Sequence, residues 1–308
     1  MMLVKNITQL IGNTPLVDVS ENFKTKANLY VKVEFFNPGG SVKDRIAFAM
    51  IQEGLNRGLI KPTTHIIEAS SGNTGVGLAM VCAALNLKLT IVMPETMTIE
   101  RRKLIKAYGG NLVLSDGTKG MKGSLAIAHE MLAQESDSFM PSQFENLVNP
   151  RTHRETTVKE ILNDLPHVDI FVAGVGTGGT ISGVGQVLRE TLKDVKIVAV
   201  EPANSPMISK GTPGKHHIYG IGAGFIPNTL DTSVFHEVKT VEDEDAGEFA
   251  RQLAAKAGIF VGISSGAAFK VAYDYAMLEE NAGKHVVVLL PDTGERYLSS
   301  PYLLKEDE

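Results

Sequence analysis

The sequence contains no tryptophan and one cysteine among its 308 residues. A single cysteine excludes an intrachain disulfide framework and suits a reducing cytoplasm. No apolar stretch reaches membrane-spanning length, and Lys5 and Asn6 interrupt the apolar start, so we expect no signal peptide. Positive charge is not in excess either, because the net charge is −5, which argues against a nucleic-acid surface. We therefore expect a cytoplasmic protein with no membrane or nucleic-acid partner.

The remaining candidate sites of cysteine, histidine and basic residues are weak. Cys82 lies in an apolar helical run at residues 78–85, so a buried, inert thiol is expected. The eight histidines show no ligand spacing, and no metal site is predicted. The basic run Arg101, Arg102 and Lys103 lies in an amphipathic helical pattern, which we interpret as a solvated helix face.

Apolar strand patterns alternate with helical patterns along the whole chain, which is long enough for two domains. This rhythm predicts an α/β fold of two domains, each a largely parallel, twisted sheet flanked by helices. We place the domains at residues 1–145 and 146–308, with roughly the first 35 residues able to pack on the other domain. Residues 88–132, with their glycine-rich joints, form a candidate mobile lid. Strands are predicted at residues 29–34, 65–67, 90–93, 112–114, 168–173, 195–200, 259–261 and 286–290.

Lys43 stands at a chemically unusual place. The strand at residues 29–34 is broken by Pro38, Gly39 and Gly40, and Ser41 is then a natural N-cap for an amphipathic helix. Lys43 consequently falls in the first helical turn, where the amide partial charge is also positive. A lysine placed against the dipole should have a lowered pKa, which favours a role as nucleophile or base.

A polar segment at residues 68–75 follows a strand and opens a helix. Hydroxyls and backbone N–H groups that converge at a helix N-terminus favour an anion such as a carboxylate. A capped turn needs one such polar residue, whereas this segment has five in a row. They are Ser70, Ser71, Gly72, Asn73 and Thr74.

A glycine-rich segment at residues 174–180 also joins a strand to a helix. Glycines let backbone amides approach a phosphate closely, and the helix dipole favours its charge. Gly174, Gly176 and Gly179 also satisfy the dinucleotide fingerprint, and Glu201 lies where a ribose-binding acid would be expected. From this motif alone, pyridoxal phosphate and a dinucleotide both remain open.

Ser264 follows the predicted strand at residues 259–261. It offers a hydroxyl at the carboxyl end of a strand, where α/β proteins form ligand sites. The alternative is that it merely caps the next helix.

Together these segments resemble the fold-type II pyridoxal-phosphate enzymes, and more narrowly the cysteine synthase (O-acetylserine sulfhydrylase) group, close kin of cystathionine β-synthase. The resemblance covers nearly the whole chain. Ala69-Ser70, Leu147-Val148 and Tyr219 depart from the usual pattern and leave the second substrate open. Further matching segments are residues 10–16, 93–97, 100–102, 120–123, 143–146, 220–225 and 291–299.

The resemblance implies a role for each matching residue. Lys43 would hold pyridoxal 5'-phosphate and act as the catalytic base, Asn73 would contact the ring hydroxyl, and Ser264 would face the pyridine nitrogen. Gln143 and Gly222 would assist the residue 70–74 segment in binding the substrate. The residues implied to bind the phosphate are Gly176, Thr177, Gly178, Gly179 and Thr180.

The implied activity is that of a transferase in cysteine biosynthesis. O-acetyl-L-serine and sulfide would give L-cysteine by β-replacement, through an aminoacrylate intermediate. Cystathionine β-synthase chemistry, a lyase-type release of sulfide from cysteine, and an NAD-dependent dehydrogenase are the alternatives. The resemblance also implies a homodimer and raises the C-terminal tail of serine acetyltransferase as a partner.

Overall fold

Two β-sheets organise the protein in the computed structural model, which describes residues 3–304. Each sheet is flanked by helices on both faces. The strands are β1 (Leu16–Asp18), β2 (Asn28–Val33), β3 (His65–Ala69), β4 (Lys88–Pro94), β5 (Asn111–Ser115), β6 (Ser138–Phe139), β7 (Ile170–Gly174), β8 (Lys196–Pro202), β9 (Glu237–Val241) and β10 (His285–Leu290). The helices are α1 (Ser20–Phe23), α2 (Lys43–Asn56), α3 (Asn73–Leu85), α4 (Ile99–Ala107), α5 (Gly120–Gln134), α6 (Val148–Thr152), α7 (Val158–Asp164), α8 (Gly179–Thr191), α9 (Met207–Lys210), α10 (Asp243–Ala257) and α11 (Ile263–Met277).

The larger sheet has the strand order β1-β2-β10-β7-β8-β9. All neighbours are parallel except β1, which pairs antiparallel with β2. The smaller sheet, β5-β4-β3-β6, is parallel throughout. The predicted α/β class with largely parallel sheets is confirmed. The N-terminal strands β1 and β2 belong to the larger sheet, while the domain boundary after residue 145 stays a prediction.

Strand β10 shows why these segments become central strands. Its sequence is a continuous apolar run, as is usual for a parallel strand covered on both faces. Val286, Val288 and Leu290 join the hydrophobic cluster on one face of the sheet, and Val287 and Leu289 join the cluster on the other. Burial of both faces fixes the strand in the middle of the sheet.

The structure corrects one predicted strand. Residues 259–261 form no strand, and Val261 pairs with Thr293 only in a single antiparallel bridge. The segment is apolar because it is buried on the short path from α10 to α11, and burial alone does not distinguish a strand from a buried connection.

Cys82 is buried in α3, as predicted, and burial raises the pKa of its thiol to about 12. Within residues 3–304, no helix combines the length and the apolar character needed to cross a membrane.

Candidate active site

A cavity of about 240 Å³ lies where the segments that follow β3, β7 and β10 converge. Those are the carboxyl ends of parallel strands, the usual place for a ligand site in α/β proteins. All of the sequence-predicted site residues except Gly179 line this cavity, and Gly179 begins α8 beside it. The structure thus brings residues from both sheets to one place.

Lys43 is the first residue of α2. The N-cap position is Val42 rather than the predicted Ser41, although the Ser41 hydroxyl accepts a hydrogen bond from the Lys43 N–H at 3.2 Å. Burial lowers the pKa of the Lys43 ammonium to about 8, and the Asp292 and Glu34 carboxylates act in the opposite direction. Lys43 is therefore far closer to a neutral amine at physiological pH than an ordinary lysine.

The segment at residues 70–74 is braced from within. The Ser70 hydroxyl accepts hydrogen bonds from the N–H groups of Gly72 (3.3 Å) and Gly75 (3.0 Å). The Thr74 hydroxyl donates to Gln143 Oε1 at 2.6 Å, and Gln143 Nε2 donates to the backbone of the same segment. Because α3 begins at Asn73, its positive N-terminal end faces the cavity and suits a carboxylate.

The segment at residues 174–180 fits a phosphate group. A Cβ atom on Gly176 would lie 2.2 Å from the Gly220 carbonyl oxygen, and one on Gly179 would lie 1.8 Å from Asn149 Oδ1. Only glycine therefore allows this close path at the start of α8. Asn149, which the sequence reasoning missed, donates to the Thr177 hydroxyl and to the Gln143 carbonyl oxygen, each at 2.9 Å. It ties the two predicted binding segments together.

Asn73 is held by two charged residues at the end of the chain. Its Nδ2 donates to Asp292 Oδ2 at 2.6 Å, and its Oδ1 accepts from Arg296 Nη1 at 2.5 Å. Asp292 is fully buried, and within the described residues its Oδ1 has no hydrogen-bond partner. Sequence reasoning gave Asp292 no role, although an acid directly after β10 stands at the carboxyl end of a parallel strand, which is a usable signal.

Ser264 lies in the first turn of α11 and lines the cavity. Gly262, not Ser264, occupies the N-cap position of α11, and no side chain caps that end. The capping interpretation of Ser264 is therefore wrong.

Arg101 was interpreted from the sequence as part of a solvated face, and that is wrong. Its side chain is 1 % exposed and lines the cavity. The guanidinium lies 4.8 Å from the ring centre of Tyr297 and 5.4 Å from that of Tyr219. A usable signal was the helical spacing, because Arg101 falls on the same face of α4 as the buried Ile105.

Glu201, the acid that a dinucleotide would require, is committed elsewhere. Its oxygens accept hydrogen bonds from the N–H groups of Ile208 (2.7 Å) and Ser209 (3.0 Å) at α9. This side chain holds a short helix and is not presented to the cavity.

Comparisons with known proteins agree with the geometry. Residues 7–292 match the family described as "Pyridoxal-phosphate dependent enzyme". A cysteine synthase from Staphylococcus aureus is 50% identical over 307 residues, which cover 99% of this chain and 98% of that one.

Two solved structures are also similar. A hydrogen sulfide-producing enzyme from Fusobacterium nucleatum is 50% identical with a TM-score of 0.93, covering 96% of this chain and 100% of the other. An O-acetyl serine sulfhydrylase from Entamoeba histolytica is 43% identical with a TM-score of 0.93, covering 100% and 94%. With its lysine, its glycine-rich phosphate segment and its full-length similarity, this chain belongs to the family of pyridoxal-phosphate-dependent enzymes.

Proposed function

We propose that this enzyme forms L-cysteine from O-acetyl-L-serine and sulfide by β-replacement. The observation that carries the proposal is the convergence of Lys43, a carboxylate-binding segment and a phosphate-binding segment on one cavity. The similarity to a cysteine synthase and to an O-acetyl serine sulfhydrylase over nearly the whole chain supports the same choice.

The cavity has a matching group for each part of pyridoxal phosphate. Lys43 would hold it covalently, the backbone amides at residues 176–180 would bind its phosphate, and Asn73 would contact its ring hydroxyl. The Ser264 hydroxyl would face its pyridine nitrogen as a weak, uncharged partner. When bound, the cofactor supplies an electron sink for the bonds at the substrate's α-carbon.

The protein's own groups bind the substrate and move its proton. The α-carboxylate would rest on residues 70–74, braced by Gln143, at the positive end of α3. Lys43, with its pKa lowered to about 8, is well suited to take the α-proton as a general base. Over the whole reaction the Cβ–O bond to acetate breaks, a Cβ–S bond to sulfide forms, and one proton leaves with the acetic acid.

Release of sulfide from cysteine is a second candidate function, because the similar Fusobacterium protein is described as hydrogen sulfide-producing. It uses the same groups with a thiol in place of acetate as the leaving group. Cystathionine β-synthase chemistry, the other alternative, differs only in the nucleophile, which would be homocysteine.

A product assay tests the proposal. The holoenzyme is given serine, O-acetylserine or cysteine, each with sulfide or homocysteine, and the products are separated and quantified. We expect O-acetylserine with sulfide to have the highest specificity constant. A higher value for homocysteine than for sulfide, or for sulfide release from cysteine, would replace the proposed function with the corresponding alternative.

Several further properties follow the family resemblance and belong to the same proposal. We infer a homodimer in the cytoplasm, two domains divided near residue 145, and a lid at residues 88–132. Binding of a serine acetyltransferase C-terminal tail would need an open cavity mouth, since the tail would compete with the substrate there.

A further inference from the structure

Arg101 is a buried positive charge with no negative partner. Within residues 3–304 it forms no salt bridge, and its Nε has no hydrogen-bond partner. Its Nη2 donates to the hydroxyl of Tyr297 at 2.7 Å, which satisfies one N–H but does not neutralise the charge. Burying an uncompensated guanidinium is costly, so the arrangement points to an anion that arrives with a ligand.

The guanidinium faces the carboxylate-binding segment. A methyl group placed on Gly72 would lie 3.4 Å from both Cζ and Nε of Arg101, so the unpartnered Nε lies against the backbone of residues 70–74. Arg101 also lines the same cavity as Lys43. The nearby carboxylate of Asp292 already accepts hydrogen bonds from Asn73 and Tyr297.

Several contacts hold this charge in position before any ligand arrives. The rings of Tyr297 and Tyr219 flank the guanidinium. The Glu100 carboxylate accepts hydrogen bonds from the N–H (3.2 Å) and the hydroxyl (3.1 Å) of Ser299, which docks the start of α4 on the end of the chain. A charge fixed in this way loses little side-chain entropy on binding.

We propose that Arg101 is an anion-binding residue of this site and that its ligand is the α-carboxylate of the amino-acid substrate. The inference rests on the proposed function, since it assumes an amino-acid substrate. The carboxylate would lie with the N-terminal amides of α3 on one side and the guanidinium on the other. Binding would neutralise the buried charge, and it would favour ligands with a free carboxylate over neutral analogues of the same shape.

An anionic nucleophile such as hydrosulfide carries the same sign of charge and is the competing source of the anion. The two are separated by a ligand that has a carboxylate but no part in the nucleophilic step. L-alanine and L-alaninamide form such a pair, because both lack a leaving group and differ only in the carboxylate.

The test measures dissociation constants of both ligands from the absorbance of the bound cofactor, in the wild type and in Arg101→Gln. We expect alanine binding to weaken by about 10- to 100-fold, as for loss of a charge-assisted hydrogen bond, and alaninamide binding to change by less than about twofold. Arg102→Gln is the matched control. It removes the same charge from the next position of α4, outside the cavity lining, and should leave both constants unchanged.

Two results would overturn the proposal. An equal weakening of alanine and alaninamide would mean that Arg101 only shapes the cavity. Unchanged constants together with a raised KM for sulfide would assign Arg101 to the nucleophile. If Arg101→Gln does not fold, Arg101→Lys decides in its place, because a smaller but selective loss of alanine binding is expected and an unaltered ratio would contradict the proposal. A wild type that binds alanine but makes no cysteine would sink the proposed function and leave this test intact.

Discussion

The proton affinity of Lys43 is set by the cavity in which it lies. Burial lowers its pKa to about 8, although Asp292 and Glu34 favour the charged form. A free lysine side chain has a pKa of about 10.4, so the site shifts the balance strongly toward the neutral amine. The reactive amine that a base or nucleophile requires is therefore a property of the folded site.

The first prediction concerns this titration. In the protein freed of cofactor, an amine-specific reagent should label Lys43 with a rate that rises as the pH passes through about 8, because only the neutral amine reacts. Mass spectrometry of the labelled peptide over a pH series measures the midpoint. A synthetic peptide of residues 37–47 is the control, with a midpoint near 10.4. The same midpoint in protein and peptide would contradict the account.

A second prediction concerns Gly176. In Gly176→Ala the new methyl would meet the Gly220 carbonyl oxygen at 2.2 Å, and one of the two backbones must move. We expect cofactor affinity to fall at least tenfold in a titration of the apoprotein with pyridoxal phosphate. Gly185→Ala, in α8, is the matched control, since its methyl would lie 3.3 Å from the Val234 side chain and alanine favours a helix. Equal affinity in both variants would mean that the segment does not bind the phosphate.

Much of the site could be predicted at the residue scale, because glycines and hydroxyls at strand-to-helix junctions carry a local signal. Lys43, Asn73 and Ser264 each follow such a junction, and all three line the cavity. Arg101 and Asn149 carry no such signal. Their importance depends on which distant segments the fold places beside them, and one sequence does not contain that information.

At the element scale, helix α4 connects the predicted lid to the end of the chain. The Thr98 hydroxyl donates to the Arg296 carbonyl oxygen at 3.4 Å, and Glu100 accepts from Ser299. These few polar contacts, mostly near the surface, should open and close at little cost. The lid assignment at residues 88–132 remains a prediction.

The third prediction is that L-alanine binding slows amide hydrogen exchange in α4. The carboxylate would bridge residues 70–74 and the guanidinium of Arg101, and so would hold the helix closed. Exchange is followed by mass spectrometry with and without ligand, and α10, remote from the cavity, serves as the internal reference. Equal exchange in α4 under both conditions would argue against a lid that closes on the substrate.

Elements with strong apolar patterns were predictable, whereas edge strands and buried connections were not. Strand β10 is apolar throughout and was found from the sequence. Strand β9, at the edge of the larger sheet, has the mixed sequence Glu-Val-Lys-Thr-Val and was missed. The segment at residues 259–261 was wrongly assigned, because its pattern reports burial and not strand pairing.

At the scale of the whole molecule, a buried ionic network joins three distant segments. Arg45 of α2 binds Glu34 at 2.7 Å and Glu160 of α7 at 2.7 Å, and Lys32 of β2 binds Glu160 at 2.9 Å. Burial opposes ionisation of Glu160, but Arg45 and Lys32 hold the pKa of its carboxyl down at about 2. The network therefore links the helix that carries Lys43 to both the N-terminal strands and the middle of the chain.

The fourth prediction is that Glu160→Gln lowers the free energy of unfolding by about 3 kcal/mol at pH 7, because it leaves two buried cations short of a partner. Since the folded-state pKa is lowered, this contribution is complete above about pH 4.3 and is lost as the pH falls toward about 2. Urea unfolding at pH 7 and at pH 3.5 should show a smaller difference between variant and wild type at the lower pH. Glu155→Gln, which removes an exposed carboxylate one turn earlier, is the control and should cost little. A constant difference at both values of pH would contradict the network's role.

The central claim is that Lys43 carries the cofactor in the cavity between the two sheets. Borohydride reduction of the holoenzyme, followed by digestion and mass spectrometry of the peptides, tests it most directly. The account predicts one modified peptide, with the pyridoxyl group on Lys43, and no modification in Lys43→Ala, whose turnover should also fall by at least ~10²–10⁴-fold. A pyridoxyl group on any other lysine of the wild type would contradict the account.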